Sequence, residues 1–337
     1  MSTYRESGVD LDAADELVAQ IGPAVQRTWT DRVTGGFGGF ATGIRLPPGY
    51  RNPVLMMSTD GVGTKIELAR ETKRFHGLGS DLVAMCVDDL AAVGAQPLAF
   101  TDYLAVGGLQ PNRDRALIES VAAACTAAGC ALLGGETAEH PGVMPADAFD
   151  LAGAALGIVE EGEEVTGASI KAGDSIIGVE SPNLRSNGFS LVRTVLKDVD
   201  LRAPFDADRT IAEVVLEPSV IYARAALEAV ATGAVRGMAH ITGGALVGNI
   251  PRVLPSACGA VIERGSWTVP PVFRYLQEMG SVSNEEMYRT FNMGIGFAAI
   301  VPGSSVPEVQ AAFANHGHRT WVIGSVTTSP DHRVRFV

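Results

Sequence analysis

Apolar positions Leu11, Ala14, Leu17, Val18, Ile21 and Val25 fall on one helical stripe, and Gly22-Pro23 inside it predicts a break or kink. A Gly-rich loop follows at 35–39. Residues 53–59 (PVLMMST) form a continuous apolar run of strand length, followed by a loop from Asp60 to Thr64 and a helix over 65–74. Ser80 predicts the N-cap of a helix reaching Val93. Residues 97–106, 131–133 and 151–159 read as further strands, with a helix over 112–128 between the first two.

The charged segment 160–164 interrupts this pattern, and a new strand begins at Asp174 (DSIIGVES). Helices are expected over 186–197, 211–231, 245–253, 271–278 and 283–289, the last opened by a Ser283-x-x-Glu286 capping box. Strands are expected over 257–263, 295–301, 320–326 and 333–337. The fold class is therefore α/β (α+β), with two mixed α/β domains over 1–166 and 167–337, as a length of 337 residues suggests.

Composition narrows the function. No run of about 18 apolar residues occurs, and the first twenty residues carry Arg5, Glu6, Asp10, Asp12, Asp15 and Glu16, so neither a membrane span nor a signal peptide fits and a cytoplasmic location is expected. Cys86, Cys125, Cys130 and Cys258 lack zinc-site spacing and read as reduced core residues. A net charge of -12 argues against a nucleic-acid surface and implies a cation wherever phosphate is handled.

The candidate chemistry lies at strand ends. Asp60-Gly61-Val62-Gly63-Thr64-Lys65 sits at a strand-to-helix turn, where Gly61, Gly63 and Thr64 suit an anion, Asp60 a metal and Lys65 a phosphate; a plain turn with a surface lysine is the bland alternative. Asp88 and Asp89 stand in the middle of a helix that is apolar all round, and two carboxylates there need a cation or strong donors. Mg²⁺ would meet that need, although an exposed or capping role fits one of the two. Gly134-Gly135-Glu136 offers another carboxylate beyond a buried strand. Arg185-Ser186-Asn187-Gly188 and Thr242-Gly243-Gly244 each precede a helix and suit a phosphate or an ordinary cap. Arg289 and Asn292 lie in a turn where they could bind a substrate phosphate or tie the turn together. His76, His140, His316, His318 and His332 have no catalytic partner in view, and His240 reads as structural.

Taken in order, GGFGGF (35–40), TDGVGTK (59–65), DLVAMCVDDL (81–90), GCALLGGETAEHPG (129–142), SNGFSLVR (186–193), HITGG (240–244) and EMYRTFNMG (286–294) resemble the phosphoribosylformylglycinamidine cyclo-ligase (AIR synthetase) family over nearly the whole chain. The resemblance implies a homodimer formed through the N-terminal sheet and a small phosphorylated substrate. It also implies ATP and Mg²⁺ as cofactors, with a K⁺ requirement left open. Carried over by motif, Asp60, Asp88 or Asp89, and Glu136 are metal and phosphate ligands, and Lys65 is a phosphate contact. Gly36, Phe37, Gly38, Gly39 and Gly135 cover the nucleotide, while Asn187, Arg185, Ser186, Gly243, Gly244, Arg289 and Asn292 serve substrate or catalysis. Such phosphoryl chemistry needs charge neutralisation and positioning more than a nucleophilic side chain.

Four departures fall near these positions: Gly22 where the family has a lysine, Arg185 where it has a histidine, Ala245 in place of a third glycine, and Thr30-Asp31-Arg32-Val33 before the Gly-rich loop. They leave two alternatives open, an ATP-using enzyme of the same superfamily with another substrate, and a non-catalytic nucleotide-binding partner.

Overall fold

In the computed structural model, which describes residues 7–329, 331 and 333–337, the first half of the chain contributes α1 (Leu11–Gln26), β1 (Val33–Thr34), β2 (Gly43–Ile44), β3 (Pro53–Gly61), α2 (Lys65–Thr72), α3 (Leu78–Ala92), β4 (Gln96–Val106), α4 (Pro111–Ala128), β5 (Ala131–Glu139) and β6 (Phe149–Glu160). Arg5, Glu6 and His332 lie outside the described residues. The sheet order is β3-β6-β4-β5, with β6 antiparallel to both neighbours and β4 parallel to β5 through the α4 crossover.

One face of this sheet is dry. Leu82, Val83, Cys86 and Val87 of α3 and Leu117 and Val121 of α4 bury against Phe100, Leu104 and Leu151. Among the described residues no helix covers the opposite face. Alternation along the strands puts Leu55 (52% exposed), Met57 (75%) and Tyr103 (44%) there, above a small separate cluster of Leu98, Ala99 and Ile158.

The second half supplies β7 (Ser175–Glu180), α5 (Phe189–Val195), α6 (Ile211–Val215), α7 (Ala223–Ala231), β8 (Gly237–His240), α8 (Ala245–Asn249), β9 (Cys258–Ile262), α9 (Pro271–Gly280), α10 (Asn284–Thr290), β10 (Ile295–Val301), α11 (Val306–Asn315), β11 (Thr320–Thr328) and β12 (Val334–Phe336). Its six strands run β12-β9-β11-β7-β10-β8, antiparallel except for β12 beside β9. β10 is buried along its whole length, as a central strand with a continuous apolar run should be.

Several expectations need correction, each for a tertiary reason. α1 runs through Gly22-Pro23 unbroken, and a Cβ on Gly22 would come within 2.9 Å of the Phe37 ring, so this glycine seats the Gly-rich loop. Ser80 does not cap α3; the helix starts at Leu78, and Ser120 Oγ on α4 accepts from Gly79 N–H at 3.0 Å. A Cβ at Gly79 would lie 2.1 Å from the Ser120 backbone, so the crossing itself requires glycine. The helix expected over 211–231 is two, α6 and α7, because Pro218 cannot continue the first. A full capping box forms at Thr210 and Glu213, whereas Ser283 makes only the Ser283 Oγ to Glu286 N–H half. β3 and β5 extend further than their apolar runs, so Asp60 and Glu136 belong to strands rather than to the loops beyond them. β8 and α11 went unpredicted.

Candidate active site

Three turns meet where α3 passes between the two sheets. Ser186 Oγ donates to Val62 O at 2.7 Å, and Thr64 Oγ lies 3.4 Å from Ser190 Oγ, so the β3–α2 turn with Gly61 and Gly63 faces the turn that opens α5. His240, the last residue of β8, reaches Asp89 on α3 at 2.9 Å, which brings in the Thr242-Gly243-Gly244 turn that follows. Ser58 Oγ donates to the other oxygen of Asp89 at 3.4 Å.

Asp60 follows Ser58 by two residues and shares its sheet face, and its Oδ1 accepts from the adjacent Gly61 N–H at 2.7 Å. Burial pushes the Cys86 thiol up to about 12, and the negative charges of Asp60 and Asp89 add to the effect. Asp89 keeps 42% of its side chain exposed. Asn187 Oδ1 in the neighbouring turn is buried with no hydrogen-bond partner, an acceptor held ready for an N–H donor.

Other expected site residues have structural employment instead. Asp88 is fully buried, with Oδ1 accepting from Tyr222 N–H at 2.8 Å and Oδ2 from Arg185 at 3.0 Å, so a guanidinium and not a metal neutralises it. Lys65 Nζ is likewise enclosed, bonded to Asp81, Arg185 O and Glu217 O, and presents nothing to a phosphate. Arg185 is buried against Tyr222 rather than turned to a substrate. Asn292 ties its own turn, donating to Asn183 O at 3.0 Å and accepting from Gly294 N–H at 2.7 Å. The carbonyl of Gly243 accepts from Asn249 Nδ2 at 3.1 Å, while Gly244 adopts φ +88° at the start of α8. Arg289 lies apart, lining a cavity of about 510 Å³ with Arg264, Tyr288 and Phe336.

The Gly-rich loop and Glu136 form a second region. Phe37, Gly38, Gly39, Gly135 and Glu136 line a cavity of about 730 Å³ together with the apolar side of α1, and Gly36 precedes them in the same loop. The register Asp60↔Gly153↔Asp102↔Gly135 crosses the whole sheet, so Asp60 and Glu136 stand on opposite edges, three strand spacings or roughly 14 Å apart. Among the described residues no group of three or more His, Cys, Asp or Glu could hold a metal alone.

Asp102 and His240 were the residues that pattern reading undervalued. Asp102 lines the cavity, and burial pushes its carboxyl up to about 7. The signal was a carboxylate inside the apolar run 97–106.

Comparison with known proteins bears on the fold and the family. The AIR synthase related protein family matches in two parts, its N-terminal domain over residues 45–159 and its C-terminal domain over 171–337. The phosphoribosylformylglycinamidine cyclo-ligase of Thermosynechococcus vestitus is 46% identical over 327 residues, covering 96% of each chain. That of Burkholderia mallei is 44% identical over 337 residues, covering 99% of this chain and 96% of the other. Among solved structures, thiamine-monophosphate kinase from Stenotrophomonas maltophilia K279a has a TM-score of 0.70 at 18% identity, over 97% of this chain and 96% of that one. The hydrogenase maturation protein HypE in complex with ATP has a TM-score of 0.68 at 17% identity, over 98% and 93%. These last two share the fold, while identity over nearly the full length places the chain: it belongs to the AIR synthase related family, among the phosphoribosylformylglycinamidine cyclo-ligases.

Proposed function

We propose that this chain closes the imidazole ring of formylglycinamidine ribonucleotide to give 5-aminoimidazole ribonucleotide, with ATP converted to ADP and phosphate, in purine biosynthesis. The observation that carries the reading is identity of 46% to a named cyclo-ligase over 96% of both chains. No described helix is long and apolar enough to cross a membrane.

Asp60 and Asp89 fit Mg²⁺, which needs only one or two protein carboxylates when phosphate oxygens complete its shell. Bound Mg²⁺-ATP supplies the phosphoryl group that turns the amide oxygen into a leaving group. The protein's part is positioning. Gly63 and Thr64 offer backbone N–H groups just beyond Asp60, since those of Gly61 and Val62 already donate to Asp60 Oδ1 and Leu151 O, and the unpartnered Asn187 Oδ1 accepts an N–H of the amidine, aiming its nitrogen at the activated carbon. The cavity beside Phe37, Gly38, Gly39 and Gly135 accommodates the nucleotide base.

Asp60 and Glu136 lie on opposite edges of the sheet, and in this reading they serve one nucleotide across two chains. A second copy laid on the uncovered face would bury Leu55, Met57 and Tyr103, and Glu136 registers beside Tyr103 on β5, so a homodimer through this sheet is the assembly we propose. The same reading divides each chain at 1–166 and 167–337. ADP release that depends on formylglycinamidine ribonucleotide tests the activity, and its absence from the purified dimer would reject it.

A further inference from the structure

The feature left unexplained by this reaction is Arg185. Its side chain is wholly buried, its backbone holds φ +59°, and its Nε and Nη1 make no hydrogen bond. A non-glycine residue holds this left-handed conformation only where its surroundings enforce it. The backbone is nonetheless pinned, with Arg185 N–H donating to Asn183 Oδ1 at 2.9 Å and its carbonyl accepting from Lys65 Nζ at 3.0 Å. The guanidinium carbon lies 4.8 Å over the Tyr222 ring, which directs Nη2 alone at two partners: Asp88 Oδ2 at 3.0 Å and His240 Nε2 at 2.8 Å.

That contact settles a proton. Arginine has only N–H donors and stays protonated, so an imidazole nitrogen 2.8 Å from Nη2 must accept. His240 Nε2 is therefore bare, the ring is neutral, and its proton resides on Nδ1, where it donates to Asp89 Oδ1 at 2.9 Å. Asp88 balances the arginine's charge, so this buried group is neutral overall.

We propose that Arg185 is a positioning residue for Asp89: it fixes the His240 tautomer, and the Nδ1 proton in turn locks one carboxylate oxygen, leaving the Ser58 side of Asp89 for the nucleotide's metal. This rests on the Mg²⁺-ATP reading above, although the tautomer assignment does not. Groups that orient a metal ligand from behind typically change metal affinity about 10- to 100-fold when removed.

The test is ¹⁵N side-chain NMR of the full-length protein without nucleotide at neutral pH, with the His240 signal identified by its loss in His240→Asn. Neutral imidazole protonated on Nδ1 is expected in the wild type; a proton on Nε2, or on both nitrogens, overturns the proposal without any variant. In Arg185→Met the pattern should change and Mg²⁺-ATP should bind about 10- to 100-fold more weakly, with Arg185→Lys restoring much of both. The side-chain amide introduced by His240→Asn can itself donate to Asp89, so adding Arg185→Met to His240→Asn should weaken binding less than about twofold. An equal loss in both backgrounds means Arg185 acts only on packing and overturns the proposal. A wild-type ring protonated on Nδ1 in a protein that binds no Mg²⁺-ATP would reject the proposed function and the role toward Asp89, while the Arg185–His240 assignment stands.

Discussion

Lys65 Nζ lies 2.8 and 2.7 Å from the two carboxylate oxygens of Asp81, with both side chains at 0% exposure. Asp81 Oδ1 also accepts from Ser219 N–H and Oγ, at 3.0 and 2.6 Å, and Lys65 reaches Glu217 O at 2.9 Å. The pair thus ties α2 and α3 to the break between α6 and α7, where Pro218 has ended one helix and left backbone groups free. Lys65→Met strands a buried carboxylate and should cost about 3–5 kcal/mol in urea unfolding. Lys197→Met, at an exposed lysine, is the control and should shift stability by less than about 0.5 kcal/mol.

Asp102 should make stability fall as pH rises. Burial holds its carboxyl up at about 7 in the folded chain, well above an unfolded aspartate. The folded state therefore binds the extra proton: the contribution is complete below about pH 4 and lost as pH climbs through about 7. Stability of the wild type in urea should fall between about pH 5.5 and 8.5, by about 2 kcal/mol. Asp102→Asn should flatten that portion of the profile. An equal slope in the variant would assign the pH dependence elsewhere.

Ala245 takes φ +53° at the first position of α8, following Gly244 at +88°. Its methyl group is buried, but the left-handed backbone costs an alanine on the order of 1 kcal/mol that glycine does not bear. Ala245→Gly should stabilise the protein by roughly 0.5–1 kcal/mol in chemical denaturation. A loss of stability would show that methyl packing outweighs the backbone term.

The separation of Asp60 from Glu136 makes a shared site testable. Asp60→Asn and Glu136→Gln chains should each be inactive as homodimers. When mixed, unfolded and refolded together, they should regain up to about a quarter of wild-type activity per site, because half the dimers are hybrids and each hybrid keeps one intact site. No recovery, with hybrids verified by mass spectrometry, would place both carboxylates' work within one chain.

Much of this molecule was legible from the residues. Apolar periodicity located β3, α3, α4, β6 and β10, because those segments carry their own pattern and need only a partner surface to bury it. The ordered motifs named the family, and three of the turns they mark, at 60–65, 185–190 and 240–244, do converge. Local signals failed where a distant group did the job: Ser120 serving the start of α3, and Phe37 seated on Gly22.

What the chain's order could not decide was the pairing of charges. Asp81, Asp88 and Asp89 share one helix and a similar apolar setting, yet the first meets a lysine, the second an arginine and the third a histidine and half-open space. Residue type told us that a buried carboxylate needs a partner. Which partner it receives depends on where α3 crosses elements more than a hundred residues away in several of these bonds, and so on tertiary packing, which leaves Asp89 half-exposed beside His240 while Asp88 and Lys65 are buried and paired.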